Sequence, residues 1–258
     1  MKIHFYASKK PRAQKALEEL KGKYGQAEAD KAEAIVVIGG DGTMLRALHA
    51  LNNNPAPLFG VNLGTLGFLL NSYTLAGLEE RIQKATKFII HPLQMDAIDK
   101  DGKPHSEMAF NEVSLLRESH NSAKIRIHID DKVRIKELVC DGVLVSTPVG
   151  STAYNSSAGG PILPLDANVL PLTPISPFRP RRWAGALIHN KHEIRFEILK
   201  PVERMVSATA DSKEIRDVRE VVVRQARNVP RTLLFDPDYS LEERISREQF
   251  AHEDSAGK

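Results

Sequence analysis

The hydrophobic pattern changes its period near Leu93, and that change restricts the chain to architectures with two differently built lobes. Before it, apolar runs of strand length alternate with helical stripes. Ile3, Phe5 and Ala7 share one strand face, and Ala13, Ala16, Leu17 and Leu20 then fall on one side of a helix that Ser8 is placed to cap and Gly22 to end. Ala34 to Ile38 form a buried strand, followed at helical spacing by Met44, Leu45, Ala47, Leu48 and Leu51. A further strand at Leu58 to Val61 passes through Asn62-Leu63-Gly64-Thr65-Leu66-Gly67-Phe68 into a helix striped with Leu75, Leu78, Ile82 and Ala85. Such alternation predicts a parallel sheet covered by helices. After Leu93 the period is two: Ile125, Ile127 and Ile129 face one way, Lys124, Arg126, His128 and Asp130 the other. Asp130-Asp131 reads as a turn before Val133 and Ile135, and the strand pattern persists at Ile194, Phe196 and Ile198 and at Val221 to Val223. The second lobe is therefore expected to be all β. Near the end, Ser240 and Glu243 form a capping-box pattern ahead of Leu241 and Ile245, which predicts a closing helix.

The junction of the Ala34–Ile38 strand and its helix carries the first chemical signal. Gly39-Gly40-Asp41-Gly42-Thr43 lets backbone amides approach a phosphate without Cβ obstruction, and the helix N-terminus adds favourable potential for an anion. It is neither a Walker loop, which places a lysine after its glycine, nor the dinucleotide fingerprint with its wider glycine spacing. The plain alternative is a tight turn in which Asp41 caps the helix through Thr43 or Met44. The sharper reading makes Asp41 the base that accepts a proton from an attacking hydroxyl.

The second signal is Asn111-Glu112 within the apolar run Ala109 to Leu116. Two successive polar side chains in a strand face opposite ways, so a buried one needs a partner, unless the strand is an edge with both solvated. An amide followed by a carboxylate suits an adenine edge and a ribose hydroxyl. The third signal runs from Asp141 to Pro161. It is a strand that breaks at Pro148 and Gly150 and restarts as a turn of small and hydroxylic residues around one aromatic, Tyr154. That composition suits a surface receiving a flat ligand, or else a simple Ser/Gly-rich loop.

Taken together, Gly39 to Thr43, Asn111-Glu112 and Asp141 through Pro161 resemble, in order and separation, the motif set of the NAD kinase family, and the likeness covers most of residues 34 to 215. The resemblance implies an α/β lobe formed by residues 1–95 with about 228–258 returning to it, and an NAD-binding β-sandwich lobe over residues 96–227. It implies transfer of the γ-phosphoryl of ATP, or of a phosphoryl from polyphosphate, to the adenosine ribose 2′-hydroxyl of NAD, giving NADP. Asp41 would be the base and Gly40, Gly42 and Leu45 part of the binding turn. Asn111 and Tyr154 would address the adenine, Glu112 a ribose and Asp141 the nicotinamide carboxamide. Phe68, Thr152, Ala153 and Ser157 would line the pocket. A divalent cation, usually Mg2+, and assembly as a homodimer or homotetramer complete what the likeness implies.

Two departures stand out. Val149 occupies a position where the family usually has a hydroxyl residue, which implies one hydrogen bond fewer near the adenine. Ser212 follows Asp211 where glycine or histidine is usual, which weakens Asp211 as a binding residue. Two rival readings remain open: a lipid kinase of the diacylglycerol or sphingosine type, which shares the Gly-Gly-Asp-Gly turn, and a non-catalytic NAD-binding sensor. Product analysis with NAD and with diacylglycerol separates the first from an NAD kinase, and binding of NAD without turnover would mark the second.

Bulk properties narrow the partners. A formal charge of +3 from 36 basic and 33 acidic residues, with no basic block, gives no reason to expect nucleic acid. No run approaches the roughly 20 apolar residues of a membrane span, and the N-terminus lacks an apolar stretch of signal-peptide length. With Cys140 as the only cysteine, no internal disulfide forms, and a cytoplasmic location is expected. Arg179, Arg181 and Arg182 beside Trp183 read as a solvated face, and His189 and His192 lack partners at metal-ligand spacing.

Overall fold

The structure is a computed structural model that describes residues 1–64 and 67–237, and the helix expected around Ser240 to Ile245 lies outside them. The chain divides into two compact units, Met1–Ile90 with Val229–Lys258, and His91–Asn228.

The first unit contains β1 (Ile3–Ala7), α1 (Pro11–Tyr24), β2 (Ala34–Ile38), α2 (Asp41–Ala50), β3 (Leu58–Asn62), β4 (Asn71–Ser72), α3 (Leu78–Lys84) and β5 (Thr86–Ile90). The second contains β6 (Leu93–Asp99), β7 (Pro104–Ala109), β8 (Glu112–Arg117), β9 (Ala123–Ile129), β10 (Lys132–Cys140), β11 (Gly142–Ser146), the single turn α4 (Tyr154–Ser157), β12 (Val169–Ile175), β13 (Ala186–His189), β14 (Ile194–Ile198), β15 (Val206–Ala210), β16 (Lys213–Ile215) and β17 (Val218–Gln225). The chain then returns to the first unit as β18 (Arg231–Phe235).

In the first sheet, β1, β2, β3 and β18 lie side by side and parallel, and β4 pairs with the end of β3. The sheet is mixed, because β18 enters between β3 and β5 and runs antiparallel to β5. All five residues of β2 are buried, as a central strand covered on both faces requires. Helix α1 lays Ala13, Ala16, Leu17 and Leu20 on this sheet. It starts later than the sequence suggests: Pro11 takes the first helical position, where a missing N–H costs nothing, and Ser8 Oγ accepts the amide of Lys10. It also continues past Gly22 to Gly25, whose φ of 75° suits a residue without Cβ and whose amide donates to the Lys21 carbonyl at 2.9 Å. At α3, Leu78 and Ile82 are buried while Leu75 precedes the helix and is exposed.

The second unit is a sandwich of two antiparallel sheets, ordered β10-β9-β14-β17-β6-β7 and β13-β12-β11-β8-β15-β16. Their inner faces share one apolar core that includes Ile125, Ile127, Val143, Val145, Phe196 and Val221. The chain crosses between the sheets at two points that matter for chemistry: Phe110-Asn111, joining β7 to β8, and Asp141, joining β10 to β11.

Candidate active site

In the first unit, the bend between β2 and α2 opens into a cleft of about 1200 Å3. Asp41 is the first residue of α2, and its carboxylate does not cap that helix. It reaches across the cleft floor instead, where Oδ2 accepts the Phe68 amide at 2.8 Å and Oδ1 the Leu69 amide at 2.9 Å. A Cβ on Gly67 would stand 2.6 Å from Asp41 Oδ1, so the absence of a side chain there is what admits the carboxylate. Gly40 and Gly42 are exposed at the bend, Leu45 is half-buried one turn on, and Phe68 is buried.

The cleft walls carry Lys9, Lys10, Arg12 and Arg46, with Asp41 as the one carboxylate among the described lining residues. Arg46 is oriented by its Nη2, which donates to Thr43 Oγ1 at 3.1 Å. Four cations against one anion, at the start of two helices, make a site for a polyanion. Sequence reasoning missed these cations because they are scattered along the chain and each alone looks like a solvated side chain. The signal that could have found them is the position of Lys9, Lys10 and Arg12 directly after β1, whose end pairs with the end of β2.

In the second unit, Asn111 is not inside a strand as expected. The apolar run Ala109 to Leu116 hides a sheet change, and β8 begins only at Glu112. Nor is β8 an edge, since β11 and β15 flank it. The bend is fixed by Asp211, whose carboxylate accepts the amides of Phe110 at 2.7 Å, Asn111 at 3.0 Å and Glu112 at 3.2 Å. The carbonyl of Asn111 accepts the amide of Thr147 at 2.9 Å and the hydroxyl of Ser146 at 3.2 Å. Among the described residues the Asn111 side-chain amide has no intramolecular partner.

Glu112 is the most perturbed carboxyl group of the unit. Burial first, and the charge of Asp211 second, push its pKa up to about 7, against a smaller opposing effect of the nearby Tyr154 backbone amide. Its Oε2 is buried without a hydrogen-bond partner among the described residues. Tyr154 begins α4, with its phenol held above its ordinary pKa by burial and by the neighbouring charge of Glu112. Thr152 and Ala153 are half-buried beside it and Ser157 is exposed. This loop is stapled by Asn155, which is fully buried, donates to the carbonyls of Ser151 and Pro161 and accepts the hydroxyl of Thr173. Asn111, Glu112, Asp211 and Tyr154 are thus brought together. Asp141 is not: β8 and β11 are antiparallel, so it stands at their far end, roughly 20 Å along the strand from Thr147. There its carboxylate pairs with Arg117 Nε at 2.6 Å.

Both departures fit locally. Val149 is buried. Asp211 takes the left-handed position of the β15–β16 turn with φ 51°, and Ser212 keeps a negative φ, so no glycine is needed there.

Residues 3–91 match the ATP-NAD kinase N-terminal domain and residues 110–230 the ATP-NAD kinase C-terminal domain. The chain belongs to the ATP-NAD kinase family. It is 49% identical to the NAD kinase of Hyphomonas neptunium, covering 97% of this chain and 98% of that one. It is 51% identical to the NAD kinase of Caulobacter vibrioides, covering 97% and 96%. A crystal structure of an NAD kinase from Archaeoglobus fulgidus in complex with ATP superposes with a TM-score of 0.79 over 96% of this chain and 99% of that chain, and at 23% identity it supports the fold. Membership of the NAD kinase family makes the chain an enzyme that phosphorylates NAD and does not favour a lipid kinase.

Proposed function

We propose that Asp41 accepts the proton of the adenosine ribose 2′-hydroxyl of NAD while that oxygen attacks the γ-phosphoryl of ATP. The observation that carries this reading is the Asp41 carboxylate, pinned by two backbone amides in a cleft whose other charged lining residues, among those described, are all cations. A carboxylate has about four acceptor sites, so two amides leave it able to take a proton. Fixing it beforehand removes the entropy of orienting it at the moment of transfer. Lys9, Lys10, Arg12 and Arg46 offset the charge of the phosphate chain, and the exposed Gly40 and Gly42 let it approach the backbone without Cβ atoms in the way.

Among the described residues no group of three or more His, Cys, Asp or Glu side chains converges to hold a metal ion. A divalent cation such as Mg2+ would be held mainly by the phosphate oxygens of ATP, where it would neutralise charge on the transferring group. In the second unit we assign the adenine edge to the unpaired Asn111 amide and the Tyr154 ring, a ribose hydroxyl to the orphaned Oε2 of Glu112, and lining roles to Thr152, Ala153 and Ser157. Phe68 and Leu45 line the first unit's site. Asp211 acts by positioning Asn111 and Glu112. Asp141, paired with Arg117, is the candidate for the nicotinamide carboxamide. Polyphosphate is the alternative donor.

No described helix is long and apolar enough to cross a membrane. The lone Cys140, a buried thiol pushed up to about 12 by burial, suits a reducing cytoplasm. Assembly into a homodimer or homotetramer would cover Val133, Phe178 and Leu187, which are exposed in the second unit. The test is NADP formation from NAD, ATP and Mg2+, followed by a coupled dehydrogenase, with wild type and Asp41→Asn. The variant is expected to lose at least about a hundredfold in turnover, and near-normal turnover would remove Asp41 from the role of base.

A further inference from the structure

A second cavity of about 560 Å3 adjoins the glycine cleft and shares Arg12, Asn62, Leu63 and Gly64 with it. The mechanism uses none of its remaining lining. Arg12, Lys15 and Glu19 are spaced by three and four residues along α1, so they stand in one row on its exposed face. From Arg12 to Glu19 the row runs about 10 Å away from the cleft. Its charge changes sign on the way: Lys9, Lys10, Arg12 and Lys15 are cations, and Glu19 is an acid. Opposite Glu19 lies Tyr73, whose hydroxyl donates to Glu19 at 3.0 Å and whose ring packs against the core of the unit while lining the cavity. Burial, then Glu19, push the Tyr73 phenol up to about 12, so it stays a donor throughout the physiological range.

A row that begins cationic and ends in a carboxylate beside an aromatic ring matches a ligand that begins as a phosphate chain and ends in hydroxyls and a base. We infer that this compartment takes the nucleoside of the phosphoryl donor. Arg12 and Lys15 meet its phosphates, Glu19 accepts from its ribose hydroxyls, and the Tyr73 ring receives its base. Inorganic polyphosphate would instead carry negative charge up to Glu19, so the compartment selects a nucleoside triphosphate over a bare phosphate chain. The inference rests on the assignment of the glycine cleft to the phosphate chain.

Calorimetry of the full chain with magnesium ATP and with magnesium inorganic triphosphate separates these contributions, using Lys15→Ala and Glu19→Gln. Both residues are exposed on α1, and circular dichroism checks the fold. Lys15→Ala is expected to weaken both ligands about tenfold, the weight of one charge-assisted contact. Glu19→Gln is expected to weaken ATP several-fold while triphosphate binds at least as tightly as to wild type, because a like charge has gone. ATP affinity unchanged in Glu19→Gln, or ATP and triphosphate changing in parallel, would overturn the inference. NADP formation by the wild type is measured alongside. If ATP binding shows the expected split and no NADP forms, the compartment stands and the kinase mechanism does not.

Discussion

The carboxylate of Asp211 accepts the backbone amide of Asn111 at 3.0 Å, across 100 residues of sequence, and so holds the bend at which the chain passes from one sheet of the sandwich to the other. The same carboxylate takes the amides of Phe110 and Glu112. Asp211→Ala leaves three amides without their acceptor and places alanine at a φ of 51°. Unfolding in urea is expected to show a loss on the order of 3 kcal/mol, and KM for NAD should rise more than KM for ATP. A variant of unchanged stability would mean that water replaces the carboxylate without cost.

Glu112 sets a pH dependence whose sign follows from its environment. The unfolded chain ionises this group near 4.5 and the folded chain near 7. Below pH 4.5 both states hold the proton, and the group contributes nothing. Between 4.5 and 7 only the folded state holds it, so stability falls as pH rises, by a total on the order of 3 kcal/mol that is constant above about 7. Glu112→Gln removes the slope, and at pH 8 it should be more stable than wild type by a good part of that amount. Urea unfolding at pH 4.5, 6 and 8 measures this. Saturating NAD should flatten the wild-type slope if a ribose hydroxyl donates to the buried Oε2, and a slope untouched by NAD would count against that contact.

Some of this site was legible in the sequence because its cause is local. Five apolar residues running into three glycines around Asp41 can hardly be anything but a strand, a bend and a helix start. What Asp41 does with its carboxylate was not legible, since its partners are amides 27 and 28 residues downstream. The residue types at Asn111-Glu112 were informative, but hydrophobicity does not reveal a sheet change inside a run that stays apolar on both sides of it. The same limit hid the work of Asp211, whose neighbour Ser212 suggested a weakened position, whereas the turn it starts asks nothing unusual of a serine.

Gly67 allows a test that spares the fold. A Cβ there would meet the Asp41 carboxylate at 2.6 Å and 2.9 Å, and the atoms in its way belong to a side chain held by the Phe68 and Leu69 amides and not to backbone. Gly67→Ala is therefore expected to displace the carboxylate from the Phe68 and Leu69 amides with a stability change of about 1 kcal/mol or less. NADP formation should fall by at least about tenfold. Full activity in this variant would show that the amide-held geometry of Asp41 is not the reactive one.

Gly150 is the contrasting case. A Cβ there would stand 2.2 Å from the carbonyl oxygen of Asn111 and 2.5 Å from its carbonyl carbon and Cα, all of them backbone. That carbonyl is already committed to Thr147 and Ser146, and Gly150 itself donates to Thr147 Oγ1 at 3.0 Å. No rotamer change relieves the clash, so the loop carrying Thr152, Ala153 and Tyr154 must move off the Asn111 bend. Gly150→Ala is expected to cost about 2–3 kcal/mol in stability, as overpacking against an unyielding neighbour does. It should also raise KM for NAD at temperatures where the variant remains folded. Because Asp41 and the cationic cleft belong to the other compact unit, calorimetric affinity for ATP should stay within about twofold of wild type. An equal loss of affinity for both substrates would mean that the disturbance spreads through the whole chain and that the loop's contact with Asn111 carries no specific role in binding NAD.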